Sequence, residues 1–261
     1  MGQVYLAQDL HQDRQVALKI LAPQLVKDQM ALRRFQREGR AAGSLHHPNI
    51  CMIHEVGDVD GTHFISMEYC PGMLLRQRLN SGRMSIPETL DVGIQVADAL
   101  EEAHKHKIVH RDIKPENIII LPRGQLKILD FGLAKLIPEK TQDASGQAID
   151  TPITESGGIV GTIDYMSPEQ LLSKKVDRRT DIFSLGVVLY EMLTGRCPFR
   201  GDSMAEVLDA ILHEEPVSIA RFNEDAQDSL IRVVRKMLRK NPEERYQSIH
   251  GVCIDLRGNK E

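Results

Sequence analysis

The sequence predicts an α+β chain in two parts, a small antiparallel β lobe with one helix followed by a larger, mainly helical lobe. Three observations carry this. Residues 3–70 contain short strand-like runs with a single helical stripe, and residues 85–260 are dominated by helical periodicity. Between them Pro71-Gly72 marks a natural break. A chain of 261 residues can form one large domain or two lobes sharing a cleft.

Each element follows from local pattern. In Val16 to Leu21, period-two alternation puts Val16, Leu18 and Ile20 on one face and Ala17 with Lys19 on the other. Lys19 beside a small residue suits a planar base lying against it, and the spacing alone also fits an edge-strand lysine in solvent. Residues 28–45 form a helical stripe of Leu32, Phe35, Ala42 and Leu45, and Glu38 falls on that stripe. A carboxylate on an apolar face is costly unless paired; with Arg37 and Arg40 beside it, a solvated position at the stripe's edge also fits. Gly39 and Gly43 weaken this helix by up to about 1 kcal/mol each relative to alanine, as in a mobile, switch-like element. Asp60-Gly61 is a hairpin signal between two strand-like runs.

The second part opens on Ser85-Ile86-Pro87-Glu88, a capping box with proline just inside it. The helix should run to about Lys107, with Ile86, Leu90, Ile94 and Ala97 on its buried face. Arg123-Gly124 links the apolar runs 118–121 and 126–129 as a second hairpin. Thr141 to Gly158 is rich in threonine, serine, glycine and aspartate with little periodicity, which predicts a mobile loop. Asp181 to Thr194 is apolar nearly all round and ends at Gly195, as a central buried helix would. Leu230, Val233, Val234, Met237 and Leu238 mark an amphipathic helix near the end.

Composition excludes several functions. Formal net charge is −4 with 27% charged residues, so no basic footprint points to nucleic acid. The absence of tryptophan, with aromatics at 4%, argues against a base-stacking platform. The four cysteines, Cys51, Cys70, Cys197 and Cys253, are scattered without a C-x-x-C pair. They read as reduced thiols in a cytosolic setting rather than a disulfide or zinc framework. His104, His106 and His110 cross from a helix end into a loop, a poor spacing for zinc. The longest apolar stretch, around Ile182 to Leu193, is too short and interrupted to span a bilayer, and no signal peptide is visible.

The chemistry is concentrated in His110-Arg111-Asp112-Ile113-Lys114-Pro115-Glu116-Asn117, followed by Asp130-Phe131-Gly132. This supplies a carboxylate base, a lysine, an amide ligand and a second carboxylate. Phosphoryl transfer needs that inventory, since its catalysis is mostly positioning plus neutralisation of phosphate charge. Here the chain resembles the protein-kinase family, whose signature pairs H-R-D-x-x-x-x-N with D-F-G. Val16-Ala17-Leu18-Lys19 is similar to the family's V-A-I-K, and Ser167-Pro168-Glu169 to its A-P-E. Asp181-Ile182-Phe183-Ser184-Leu185-Gly186 looks like the family's buried helix motif, with phenylalanine where tryptophan is usual. Arg245 stands where the family places the arginine that pairs with the A-P-E glutamate, here Glu169. Gly161-Thr162 and Met166-Ser167-Pro168-Glu169-Gln170 are similar to the eukaryotic-like serine/threonine kinases of bacteria.

The resemblance implies one catalytic domain over residues 1–261, with 1–70 as the small lobe and 71–261 as the large one. It implies a serine/threonine kinase that transfers the γ-phosphoryl group of Mg-ATP, with Mn2+ as a substitute ion, to protein hydroxyls. Asp112 would orient the hydroxyl and accept its proton, and Lys114 would offset charge on the phosphoryl group. Asn117 and Asp130 would hold the metal. Lys19, paired with Glu38, would hold the α- and β-phosphates. Gly2, Val4, Ala17, Met67 and Ile119 would border the nucleotide, with Met67 guarding the back of the pocket. Glu68 and Cys70 would offer backbone hydrogen bonds to adenine. Residues between Asp130 and Glu169 would form the activation loop, with Thr154 and Ser156 as the leading phosphosites and Thr151 behind them. Arg111, helped by Lys135, would receive that phosphate. Thr162 would contact the catalytic loop and substrate, and His110, Phe131, Glu169, Asp181 and Arg245 would be structural supports. The implied setting is cytoplasmic, with no nucleic-acid partner, no membrane segment in this chain and a homodimer for autophosphorylation. The cytoplasmic domain of a longer membrane protein fits as well.

One departure stands out. The family's phosphate-covering loop reads G-x-G-x-x-G-x-V, and this chain starts Met1-Gly2-Gln3-Val4. Gly2 matches the last glycine and Val4 the valine; the earlier glycines and the first strand are missing. The expectation is truncation within this loop, with fewer N–H groups over the phosphates and an unpaired sheet edge. A non-catalytic, kinase-like module binding nucleotide or a protein partner is therefore the alternative. Retention of Lys19, Glu38, Asp112, Lys114, Asn117 and Asp130 favours the enzyme.

Overall fold

The computed structural model describes residues 3–21, 39, 43–131 and 163–260. Strands β1 (Gln3–Asp9), β2 (Arg14–Ile20), β3 (Ile53–Val59) and β4 (Thr62–Glu68) form an antiparallel sheet in the order β1-β2-β4-β3. The β3–β4 hairpin turns on Asp60 and Gly61, both at positive φ (51° and 75°). That combination matches the right-handed twist of the strands it joins. Gly39 is buried against this sheet, and a Cβ there would lie 2.8 Å from Val56 Cγ2. Close approach therefore explains a glycine that, on helix propensity alone, only weakens its element.

A second, smaller antiparallel sheet is formed by β5 (Met73–Leu74), β6 (Ile118–Ile120) and β7 (Leu126–Ile128), in that order. A parallel bridge from Ile50 to Ile128 joins it to the segment that precedes β3. The 118–129 hairpin is thus shorter than its apolar runs, and it gains a two-residue partner strand that has too few residues to show a period.

The remaining elements are helical: α1 (Leu75–Leu79), α2 (Ile86–Lys105), α3 (Pro168–Leu171), α4 (Arg179–Thr194), α5 (Met204–His213), α6 (Asp228–Met237) and α7 (Ile249–Gly258). Helix α2 starts at the expected box: Ser85 Oγ accepts from Glu88 N, and the Glu88 carboxylate accepts from Ser85 N at 3.0 Å. Its buried face is wider than the predicted stripe. Leu90 and Ala97 are buried, whereas Ile86 and Ile94 are only partly so, and Val92, Gly93, Val96, Ala99, Leu100 and Ala103 are buried too. The reason is that α2 is covered from two sides: a Cβ on Gly93 would meet Leu189 of α4 at 2.8 Å and Leu256 of α7 at 3.2 Å.

Helix α4 is buried from Thr180 to Thr194 and ends at Gly195, whose φ of 74° is the left-handed conformation glycine adopts without penalty. The main core is built around it, with Leu100 of α2, Val234 of α6, Val252 of α7 and Ile118 of β6 in the same apolar cluster. No helix among the described residues is long and apolar enough to cross a membrane.

Candidate active site

Strand β2 delivers Lys19. Its register sets Lys19 opposite Val4 on β1 and Ile65 on β4, and Ala17 opposite Met67. Lys19 Nζ donates to Asp130 Oδ2 at 2.7 Å, joining the four-stranded sheet to the end of the segment from His110 to Asp130. The expected partner, Glu38, lies outside the described residues, as do Gly2, Lys135, Thr151, Thr154, Ser156 and Thr162. Asp130 is itself in the left-handed region (φ 55°), a conformation that costs a non-glycine residue about 1 kcal/mol or more. The next residue anchors it: Phe131 is buried edge-on against His110, ring centroids 4.6 Å apart.

Asp112 sits among three polar neighbours, two of which meet its carboxylate. Lys114 Nζ lies 2.7 Å from Asp112 Oδ2, and both side chains are mostly buried. Asn117, closing the single helical turn Pro115–Asn117, donates from Nδ2 to the Asp112 carbonyl (2.8 Å) and to its Oδ2 (3.1 Å). Asp112 N–H in turn donates to His110 Nδ1 at 3.2 Å. A His110 tautomer protonated on Nε2 satisfies this and donates to the Leu129 carbonyl at 2.9 Å.

Asp181 on α4 holds this segment from beneath. Its carboxylate is fully buried and accepts from His110 N (2.9 Å), Arg111 N (2.8 Å) and His104 Nε2 (2.8 Å). Arg111 has φ 67°, and Gln170 Nε2 donates to its carbonyl at 2.8 Å. The strained turn ahead of Asp112 is therefore pinned from both sides. His104 and His110 are used by Asp181 and Leu129, and His106 Nδ1 lies 3.0 Å from the Glu102 carbonyl, so the three do not converge on a metal.

Two further ion-pair groups brace the site. Arg245 forms a bidentate pair with Glu169, at 2.7 and 2.8 Å. Arg76 on α1 donates to Glu116 (2.8 Å), to Glu191 (2.6 Å) and to the Tyr165 hydroxyl. Burial alone would lower the Arg76 pKa, but its bonds to Glu191 and Glu116 raise it. Burial, with the Glu191 carboxylate nearby, pushes the Asp164 carboxyl above its usual range. Nothing local in the sequence marks Arg76, Glu191, Tyr165, Gln170 or His104 as site residues. His104 and Asp181 both lie on recognisable helices, but nothing local links them.

At the end of β4, Met67 and Cys70 are buried in one apolar cluster with Cys51 and Ile65, and Ala17 and Ile119 pack on its edge. Glu68 N donates to the Met52 carbonyl at 2.8 Å, so that amide is already used within the chain. The Glu68 carbonyl accepts the Cys51 and Cys70 thiols at 3.5 and 3.7 Å. The neighbouring Cys70, then burial, pushes the Cys51 thiol up, and the neighbouring Cys51 brings the Cys70 thiol down.

The donor set fits a hard cation. Asp112 and Asp130 offer carboxylate oxygens. Asn117 spends its NH2 on Asp112, which leaves its amide oxygen for a metal.

A family model described as protein kinase domain matches residues 1–253. The chain belongs to the protein kinase domain family. It is 37% identical to serine/threonine-protein kinase PrkC of Bacillus subtilis over 258 residues, which cover 98% of this chain and 38% of that protein. It is 38% identical to serine/threonine-protein kinase PknB of Mycobacterium tuberculosis over 261 residues, covering 98% of this chain and 40% of that one. This kinase domain thus spans about two fifths of the length of these curated relatives. Among solved structures, the PknI kinase domain of Mycobacterium tuberculosis superposes with a TM-score of 0.75 at 26% identity, covering 100% of this chain and 91% of that one. The two-lobed kinase fold, an antiparallel sheet followed by a helical part, is the fold of this chain.

Proposed function

We propose that this kinase domain transfers the γ-phosphoryl group of ATP to serine and threonine hydroxyls of proteins. The observation that carries the reading is the meeting of Asp112, Lys114 and Asn117 with the Lys19–Asp130 pair. A base, two cations and three oxygen donors come from segments up to 111 residues apart.

In this reading the Asp112 carboxylate orients the substrate hydroxyl and takes its proton as the hydroxyl oxygen bonds the γ-phosphorus. The bond to the bridging oxygen breaks and ADP leaves. Lys114, already paired with Asp112, stays beside the transferred group and offsets its negative charge. Lys19 holds the α- and β-phosphates. Val4, Ala17, Met67 and Ile119 border the base, and the backbone near Glu68 and Cys70 meets adenine. Bound Mg2+ on Asn117 and Asp130 would neutralise phosphate charge. Arg111 would receive a phosphate on Thr154, Ser156 or Thr151, placed there by a second copy of the chain, and Thr162 would meet the substrate. Residues 1–70 and 71–261 act as the two lobes, in a cytoplasmic setting where ATP is available.

The test is labelled-ATP transfer to a generic protein substrate, followed by phosphoamino-acid analysis. Label should appear on serine and threonine, and Asp112→Asn should lower kcat by about 10²- to 10⁴-fold. Wild-type transfer by Asp112→Asn, or nucleotide binding with no transfer by the native chain, would overturn the proposal.

A further inference from the structure

Cys51 and Cys70 lie 19 residues apart and read from sequence as unrelated thiols, yet the fold brings them together. Glu68 N donates to the Met52 carbonyl at 2.8 Å, and Met52 N donates back to Glu68 Oε2 at 3.3 Å. These two bonds staple the segment before β3 to the end of β4, with one cysteine on each side. The two sulfurs and a Glu68 carboxylate oxygen all lie within 4.8 Å of one another. Both cysteines are buried and free, and the Glu68 side chain is one third exposed, at 33%.

We propose that Cys51, Cys70 and Glu68 form a binding site for a thiophilic divalent cation of the Zn2+ class, at the point where the chain leaves the four-stranded sheet. Tetrahedral Zn2+ takes sulfur at about 2.3 Å and carboxylate oxygen at about 2.1 Å, which sets ligand–ligand edges of about 3.6–3.8 Å. The three atoms already lie within 4.8 Å of one another, so about 1 Å at most separates them from those edges. The charge also closes. Two thiolates and a carboxylate carry three negative charges, and the divalent ion balances two of them. Lys127, whose Nζ lies 2.7 Å from Glu68 Oε2, balances the third. The two thiol protons leave to solvent as the metal–sulfur bonds form, and no redox step is involved. Mg2+ and Ca2+ take oxygen ligands and would not compete here. The fourth position stays open beside the exposed part of Glu68.

The experiment is a Co2+ and Zn2+ titration of the reduced, chelator-treated chain. One equivalent of Co2+ should give a sulfur-to-cobalt charge-transfer band that Zn2+ bleaches. Cys51→Ser and Cys70→Ser should each abolish the band, Cys197→Ser and Cys253→Ser should retain it, and Glu68→Gln should weaken uptake at least tenfold. Zn2+ at a hundredfold excess over its Kd should raise the melting midpoint by about 5 °C. In the wild-type chain, which avoids any folding defect of the variants, Zn2+ should slow alkylation of Cys51 and Cys70 while leaving Cys197 and Cys253 unchanged. Absence of the band in reduced wild type, or a band surviving in both Cys51→Ser and Cys70→Ser, would overturn the site. So would equal alkylation of Cys51 and Cys70 with and without Zn2+, or a Cys51–Cys70 disulfide with no uptake by the reduced chain.

Discussion

The Arg245 guanidinium is fully buried, which is tolerable because its donors are used. Beyond the two bonds to Glu169, it donates to the carbonyls of Arg239 (2.6 Å), Arg179 (3.1 Å) and Lys240 (2.9 Å). Truncation would strand the Glu169 carboxylate in a site only 6% exposed. Arg245→Ala should therefore cost about 3–5 kcal/mol in urea unfolding, the range for removing one member of a buried pair. Arg245→Lys should not restore it, since an ammonium cannot reproduce the planar fork. A loss below about 1 kcal/mol for Arg245→Ala would show that the pair does not brace the fold. This partnership was implied by the resemblance to the protein-kinase family; no local pattern marks it. The Arg76 network was not: its partners Glu116, Tyr165 and Glu191 lie 40, 89 and 115 residues away, and no local pattern marks them.

At the level of elements, α4 is the axis on which the helical part is assembled, and small residues set how near its neighbours come. A Cβ on Gly186 would lie 2.9 Å from Met237 Cβ on α6 and 3.1 Å from Leu238 Cδ2. Alanine there gains up to about 1 kcal/mol of helix propensity but overpacks a contact whose strain is worth about 1–3 kcal/mol. The second effect wins because the atom met is a Cβ, which cannot rotate away. Gly186→Ala should lower the melting midpoint by about 2–4 °C; a higher midpoint would mean that α4 and α6 separate freely. Helix α4, its Gly195 stop and the α2 capping box could all be read from sequence, because caps and periodicity are local. The width of the buried face of α2 could not, since it depends on α4 and α7 arriving from two directions. Strand β5 escaped for a different reason, having only two residues.

Across the whole molecule, two thiols, Cys253 buried and Cys197 partly so, link stability to pH. Burial, with Glu191 nearby, pushes the Cys197 thiol up to about 12 from the usual 9.0. Burial and the hydrogen bond to Asp98 push Cys253 up to about 12 as well. The folded pKa values lie above the unfolded ones, so between about pH 9 and 12 the native state keeps protons that the unfolded chain releases. Their contribution is fully present below pH 9 and is lost as pH rises toward 12. Melting midpoints measured from pH 8 to 11 should fall above pH 9, and the Cys197→Ala, Cys253→Ala double variant should show a shallower fall. An identical slope in both proteins would rule these thiols out as its source.

By itself the sequence determined the two-part arrangement of strands followed by helices, the central buried helix, both hairpin turns and the inventory of chemical groups from His110 to Asp130. All of these depend on neighbours within a few residues, where backbone geometry and side-chain period decide the outcome. Only the tertiary structure decided that Lys19 bonds Asp130 and that one buried carboxylate, Asp181, carries the turn before Asp112. It alone brought Cys51 beside Cys70. The physical reason is that a buried polar group must find a partner somewhere in the folded chain. Which partner it finds is settled by the packing of all the elements together, not by the residues beside it.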